Sequence, residues 1–115
     1  MKYRVVKEYS DAPKYPIKLE VGEELQFIEE SNPNGDWPNW IFCKGADKEG
    51  WVPKQILKIE GSKVTSLKDY NATEHNLKIG ETLSADESLN GWVYGVKKCF
   101  PEIIGWAPLN CLEEL

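Results

Sequence analysis

The chain has 115 residues, of which 14 are basic and 19 acidic, giving a net charge of −5 and a pI near 4.9. This length allows one ordinary domain or two very small ones, and a hydrophobic content of 41% is enough for a packed core. The acidity argues against binding to nucleic acid or to an anionic membrane surface, and no apolar run is long enough for a membrane span or a signal peptide. We therefore expect a cytoplasmic protein.

Taken in chain order, the predicted elements are short strands separated by turns. Period-two alternation marks residues 17–19 and 25–27, and aromatic and β-branched residues mark residues 40–42 and 92–94. Turn residues separate these strands, at 21–23, 31–35 and 90–91. Because no helical stripe is sustained, we predict an all-β protein in which the strands close into small barrels.

An internal repeat organises the chain. Four segments of the first half recur in the same order in the second half, with only the loop lengths changed. The first-half segments are Val6–Tyr9, Leu19–Leu25, Trp40–Cys43 and Gly50–Leu57, and their counterparts are Leu67–Tyr70, Leu77–Leu83, Trp92–Gly95 and Gly105–Leu112. The repeat predicts two domains, residues 1–60 and 64–115, joined by a short linker.

Cysteine and histidine give little support for catalysis or metal binding. Cys43, Cys99 and Cys111 are odd in number and widely spaced, which favours free thiols that behave as small, half-buried hydrophobic residues. His75 lies far from all three in sequence, and no phosphate-binding loop or nucleophile elbow is present. We therefore predict no enzyme activity, no metal and no cofactor, and we expect His75 to be a partly buried, hydrogen-bonded imidazole.

The repeated segments resemble two SH3 domains in tandem, of the divergent bacterial kind. The family's opening A-L-Y-D-Y strand is similar to Val5–Tyr9 and Ser66–Tyr70, and its closing G-aromatic-x-P-x-N-Y stretch is similar to Gly50–Ile56 and Gly105–Cys111. The resemblance implies two five-stranded SH3-like barrels. It also implies a binding groove for extended, proline-rich peptides, whose preformed helix is recognised at little entropic cost.

By this resemblance each domain contributes aromatic and proline residues to a peptide-binding groove. The predicted residues are Tyr9, Trp40, Trp51 and Pro53 in the first domain, and Tyr70, Trp92, Trp106 and Pro108 in the second. Two tyrosines of the usual groove are missing from both copies, so the groove is partly degenerate. The family's acidic loop residue corresponds to Glu74, and we expect it to pair with a basic side chain of the ligand beside Trp92.

Each of these residues also has a purely structural interpretation. Strand aromatics are often part of a core, whereas the family position of Trp40 and Trp92 argues for exposure. Trp51 and Trp106 either line the groove or pack between the copies, and Glu74 is otherwise a solvated surface charge.

Two functional classes follow. The first is a non-catalytic adaptor that binds a protein or peptide ligand, extended and either basic or proline-containing. The alternative is a structural or oligomerisation subunit whose tryptophan faces are buried between repeats or across a homodimer. A cell-wall-binding SH3 module would require export, for which the sequence gives no signal.

Overall fold

A computed structural model describes all 115 residues and shows an all-β protein, as the sequence predicts. The strands are β1 (Lys2–Val5), β2 (Lys18–Leu19), β3 (Glu24–Glu30), β4 (Trp40–Lys44), β5 (Glu49–Pro53), β6 (Leu57–Glu60), β7 (Lys63–Ser66), β8 (Tyr70–Asn71), β9 (Thr82–Leu89), β10 (Trp92–Lys97), β11 (Phe100–Pro108) and β12 (Leu112–Glu114). Two three-residue 3₁₀ helices, Lys54–Ile56 and Leu109–Cys111, follow β5 and β11. No helix has the length and apolar character needed to cross a membrane.

The chain divides into two compact units. Unit 1 consists of residues 1–14 and 73–115, and its five-stranded sheet has the order β11-β10-β9-β1-β12. Unit 2 consists of residues 15–72, and its five-stranded sheet has the order β5-β4-β3-β7-β6, with a two-stranded ladder of β2 and β8. Each sheet is therefore built on the same plan, with β1 in unit 1 holding the place that β7 holds in unit 2.

These units differ from the contiguous domains 1–60 and 64–115 that the repeat predicts. Residues 1–14 belong to unit 1 with the second half of the chain, and residues 61–72 belong to unit 2 with the first half. The reason is local: the predicted linker is the turn of a β-hairpin, in which β6 pairs with β7 and Glu60 lies opposite Lys63. Gly61 makes this turn at φ 63°, a conformation that favours glycine. The predicted closed barrels are also wrong, because both five-stranded sheets are open.

The cores of the two units are filled by residues at equivalent positions. Unit 2 buries a mainly large aliphatic set: Ile17, Leu19, Leu25, Ile41, Cys43, Val52, Ile56, Leu57, Val64 and Ala72. Unit 1 buries a set with more small residues: Tyr3, Val5, Leu77, Leu83, Ala85, Val93, Ala107 and Cys111. Two ionisable side chains, His75 and Lys97, are also buried in unit 1.

Matching turns precede β3 and β9. Gly22 and Gly80 have φ values of 87° and 94°, and the next residue in each turn is a glutamate, Glu23 or Glu81. Glu23 pairs with Lys48 at 2.6 Å, and Glu81 pairs with Lys97 at 3.2 Å. Each unit thus fixes its turn to a hairpin on the same sheet with an equivalent ion pair.

A register shift in unit 1 depends on a glycine. The β9–β10 ladder slips between Tyr94 and Gly95. A Cβ added at Gly95 would lie 2.7 Å from the Cα of Ala85 and would also meet the carbonyl oxygen of Ser84. No larger residue fits without a backbone shift, so this glycine brings the two strands together.

The three cysteines and His75 differ in their burial and in the chemical state that follows from it. All three cysteines are free thiols; Cys43 and Cys111 are buried, whereas Cys99 is exposed, contrary to the prediction for all three. Burial raises the pKa of Cys43 to about 11, so this thiol stays protonated near neutral pH. His75 is only 4% exposed and its Nε2 hydrogen is donated to the carbonyl oxygen of Gly95 at 2.8 Å, which confirms the prediction of a hydrogen-bonded imidazole.

Candidate peptide-binding site

The structure regroups the nine predicted site residues. Unit 1 contains Tyr9, Glu74, Trp92, Trp106 and Pro108, and unit 2 contains Trp40, Trp51, Pro53 and Tyr70. The predicted assignment of Tyr9 to the Trp40 group and of Tyr70 to the Trp92 group is wrong. The reason is that residues 1–14 and 61–72 carry the two tyrosines into units other than those expected from the order of the repeat.

In unit 1, three of the predicted residues converge. The rings of Tyr9 and Trp92 meet edge to face, with centroids 5.6 Å apart and planes at 82°. The Tyr9 hydroxyl donates to Glu74 Oε1 at 2.5 Å. The backbone supports this arrangement, because Tyr9 is bridged to Leu77 by hydrogen bonds of 3.1 and 2.7 Å.

The environment of Glu74 disfavours its charged form. The side chain is partly buried, and this burial raises the pKa of the carboxyl above its ordinary value. The hydrogen bond from Tyr9 acts in the opposite direction, and the negative charge of Asp11 adds to the increase. Burial and the same hydrogen bond raise the pKa of Tyr9, so the phenol remains a donor. A cation placed here would therefore favour ionisation of Glu74.

The segment that carries Glu74 is attached to β11 by backbone hydrogen bonds. The Trp106 amide donates to the carbonyl oxygen of Thr73 at 2.8 Å, and the His75 amide donates to the carbonyl oxygen of Trp106 at 2.9 Å. Pro108, two residues further along β11, lies opposite Trp92 on β10 and is fully buried. The Glu74 backbone is therefore held by the same strand that supplies Trp106 and Pro108.

Unit 2 pairs four aromatic and proline residues across β4 and β5. Trp40 lies opposite Pro53, and Phe42 lies opposite Trp51. The rings of Phe42 and Trp51 meet edge to face at 5.2 Å. Tyr70 packs against the core of this unit.

Solvent exposure distinguishes Trp51 from the other three tryptophans among the predicted site residues. Trp51 is 39% exposed, whereas Trp106 is 6% exposed. Trp40 and Trp92 are 8% and 7% exposed, so the prediction that these two indoles face solvent is wrong. Family position marks where an indole lies on a strand, but its exposure depends on residues distant in sequence that pack over it.

Two aromatic residues beside the site were missed by the sequence analysis. Phe42 contacts Trp51 in unit 2, and Tyr94 contacts Trp106 in unit 1 with ring centroids 4.7 Å apart. A signal was present, because each follows a tryptophan by two residues and period two places both on the same face of the strand. No group of three His, Cys, Asp or Glu side chains in the structure is placed to hold a metal ion.

Comparison with known proteins identifies the family of this chain. The model of the variant SH3 domain family matches residues 2–60, a range that draws on both units. The chain is 30% identical over 129 aligned positions to the SH3 and PX domain-containing protein 2B of Mus musculus and to that of Homo sapiens. Each alignment covers 97% of this chain but 13% of the relative, so the chain spans a small part of these proteins. No solved structure matches the chain significantly.

Proposed function

This chain belongs to the variant SH3 domain family, and we propose that it is a non-catalytic adaptor that binds an extended peptide segment of a partner protein. SH3 domains are protein-interaction modules that read preformed extended segments on aromatic surfaces. Unit 1 is the first candidate for this role, and the surface formed by Trp51 and Phe42 in unit 2 is the second.

The convergence of Tyr9, Glu74 and Trp92 is the observation that carries the proposal. Tyr9 and Glu74 are partly exposed, and together with the edge of Trp92 they place an aromatic ring and an acidic group within one small area. Such a site suits a ligand that combines an apolar ring, such as proline, with a basic side chain.

The chemistry of Glu74 favours a cationic ligand residue. Because its carboxyl is partly buried and held by one hydrogen bond, an arginine or lysine that reaches it gains a charge-assisted hydrogen bond in a poorly solvated place. The ligand cation also offsets the burial that raises the pKa of Glu74. Binding should therefore strengthen as pH rises through the pKa of Glu74, and weaken below it.

Unit 2 offers a different surface. Trp51 is the most exposed of the four site tryptophans, and Phe42 supports its ring. In unit 2 the position equivalent to Glu74 is occupied by Pro16, which carries no charge. We expect this surface to bind an apolar or proline-containing segment, with weaker preference for a basic residue.

The test is a titration of the ¹⁵N-labelled full chain with a proline-rich peptide containing one arginine, and with the same peptide carrying glutamine in its place. We expect shifts at Tyr9, Glu74 and Trp92 with the arginine peptide. Glu74→Gln should weaken its binding about tenfold, as expected for one lost charge-assisted contact. Glu114→Gln makes the same charge change at an exposed site of the same unit and should leave binding unchanged. Absence of shifts with both peptides at millimolar concentration would rule out the peptide-binding role.

The burial of Trp40 and Trp92 favours a second candidate function. A structural or oligomerisation subunit needs no accessible tryptophan face, and both indoles are less than a tenth exposed. This function predicts no peptide-induced shifts in the same titration. It also predicts a homodimer if a second copy covers the remaining exposed aromatic residues, which sedimentation equilibrium would detect.

A further inference from the structure

The two units take equivalent strands from opposite halves of the chain, β1 in unit 1 and β7 in unit 2. We propose that side-chain size and charge, together with the tight turn between β6 and β7, determine which of the two strands each unit incorporates, so that this sequence does not form the contiguous units 1–60 and 64–115. The place between β9 and β12 and the place between β3 and β6 are called here the unit 1 slot and the unit 2 slot.

The two strands occupy their slots in the same register. Tyr3 lies opposite Leu83 in unit 1, and Val64 lies opposite the equivalent Leu25 in unit 2. The inward-facing residues two positions further along the strands, Val5 and Ser66, also correspond. The Val5 carbonyl oxygen accepts a hydrogen bond from the Gly80 amide at 3.0 Å, and the Ser66 carbonyl oxygen accepts one from the Gly22 amide at 2.7 Å. Because the backbone pairing is the same in both units, it does not determine which strand occupies which slot. The side chains must therefore contribute to this difference.

Side-chain size matches each strand to its own slot. At equivalent positions of the repeat, the core of unit 1 contains Ala85, Ala107 and Cys111, whereas unit 2 has Val52 and Ile56 in its core and Phe27 packed against it.

The strands show the opposite order of size. β1 buries Tyr3 and Val5 in unit 1, whose core has more small residues, and β7 buries Val64 and Ser66 at the equivalent positions of unit 2, whose core has more large residues. The reverse assignment would overpack unit 2 at Tyr3 and leave a void in unit 1 at Ser66, and both changes destabilise a close-packed core.

Charge supports the same assignment. Arg4 on β1 lies opposite Glu113 on β12, and their side chains form an ion pair at 3.3 Å. The residue of β6 equivalent to Glu113 is Lys58, which lies opposite the uncharged Thr65. In the reverse assignment Arg4 would lie opposite Lys58, and like charges directly opposite each other destabilise a sheet.

The connection between β6 and β7 completes the selection. Gly61 and Ser62 form a tight turn, and the carbonyl oxygen of Ser62 accepts a hydrogen bond from the Phe27 amide at 2.8 Å. A hairpin with a two-residue turn forms through local contacts. β7 is therefore held beside β6, and the unit 1 slot is left for β1.

The pairing can be read in the native full chain by cross-strand Hα–Hα nuclear Overhauser effects. Residues directly opposite in an antiparallel sheet have Cα atoms about 4.5–5.5 Å apart, within range of this measurement. We expect contacts from Val5 to Leu112 and from Ser66 to Leu57. A contact from Val5 to Leu57 in their place would show contiguous units and overturn the proposal.

Selection by size is tested by Ser66→Val, with Ser66→Ala as the matched control. Both remove the hydroxyl that donates to the carbonyl oxygen of Lys68 at 2.6 Å, but only valine adds volume. If the unit 2 slot is full, the urea midpoint of Ser66→Val is lower than that of Ser66→Ala. A higher midpoint for Ser66→Val would show spare room and overturn selection by size.

A strand transplant tests selection as a whole. The variant carries Tyr3→Val, Arg4→Thr, Val5→Ser, Val64→Tyr, Thr65→Arg and Ser66→Val. We expect either a urea midpoint lowered by about 1 M or more with the native pairing, or a switch to contacts between residues 5 and 57. An unchanged midpoint with unchanged pairing would show that the slots do not discriminate. The pair Arg4→Thr and Thr65→Arg alone should give only a small part of the loss.

Discussion

The two units share a strand plan and a register but have diverged in what they bury. Unit 2 packs a mostly aliphatic core and leaves Trp51 exposed, whereas unit 1 buries the equivalent Trp106 together with His75 and Lys97. At the position of His75, unit 2 has Ile17. The difference shows that one backbone arrangement tolerates either a mostly aliphatic core or one that also buries His75 and Lys97, both of which are hydrogen-bonded to backbone carbonyl oxygens.

The largest expected effect is the difference in stability between the variants that remove Trp106 and Trp51. Trp106→Ala should lower the free energy of unfolding by about 3–5 kcal/mol, because it removes a buried indole that contacts Tyr94. Trp51→Ala should cost about 1 kcal/mol, since it removes a half-exposed ring paired with Phe42. Urea unfolding followed by circular dichroism measures both. Equal losses would mean that the two indoles are equally buried in solution.

The next largest effect is the difference in stability loss when the lysine of each lysine–glutamate pair is replaced. Lys97 is buried, pairs with Glu81 and donates to the carbonyl oxygen of Asn76 at 2.9 Å. We expect Lys97→Met to cost about 2 kcal/mol, because it leaves a partly buried carboxylate without its cation.

The more exposed pair of unit 2 provides the matched control. Lys48→Met breaks the ion pair with Glu23 and should cost well under 1 kcal/mol. Unfolding in 1 M NaCl should reduce the Lys48 effect more than the Lys97 effect, because salt screens exposed charges more strongly. A larger loss of stability for Lys48→Met than for Lys97→Met would contradict this prediction.

The smallest expected effect is a pH dependence that belongs to unit 1. Burial lowers the pKa of His75, although its hydrogen bond to Gly95 and the charge of Glu81 oppose this and Lys97 supports it. The neutral imidazole is therefore favoured in the folded state. The resulting stability is fully present above the unfolded pKa of about 6.5 and is lost as pH falls from there through the lower folded pKa.

Unfolding at pH 7.5 and 5.5 measures this effect, and we expect the free energy of unfolding to be lower at pH 5.5. His75→Leu should remove it, since unit 2 has an isoleucine at the same position. Glu74 titrates with the opposite sign, because its raised pKa makes stability fall as pH increases. The difference between the parent and His75→Leu isolates the histidine, and an identical pH dependence in both proteins would contradict the prediction.

The sequence predicts the all-β class and the strands that begin at Trp40 and Trp92, because residue composition, alternation and turn chemistry are local properties. The burial and hydrogen bonding of His75 were also expected, because the resemblance places an apolar residue of the family at this position.

The pairing of Tyr9 with Trp92 was not predictable in this way. A repeat shows that β1 and β7 are equivalent, but it does not show which sheet receives which strand. That choice depends on the turn at Gly61 and on core volumes summed over many residues. The burial of Trp40 and Trp92 depends on non-local packing for the same reason.

The pairing of β1 with β12 has a consequence for synthesis of the chain on the ribosome. Arg4 and its partner Glu113 are 109 residues apart in sequence. Translation proceeds at about 5–20 residues per second, so β1 leaves the ribosome several seconds before β12. During that interval Tyr3 and Val5 lack their final neighbours, and the nascent segment is open to chaperones or to other chains.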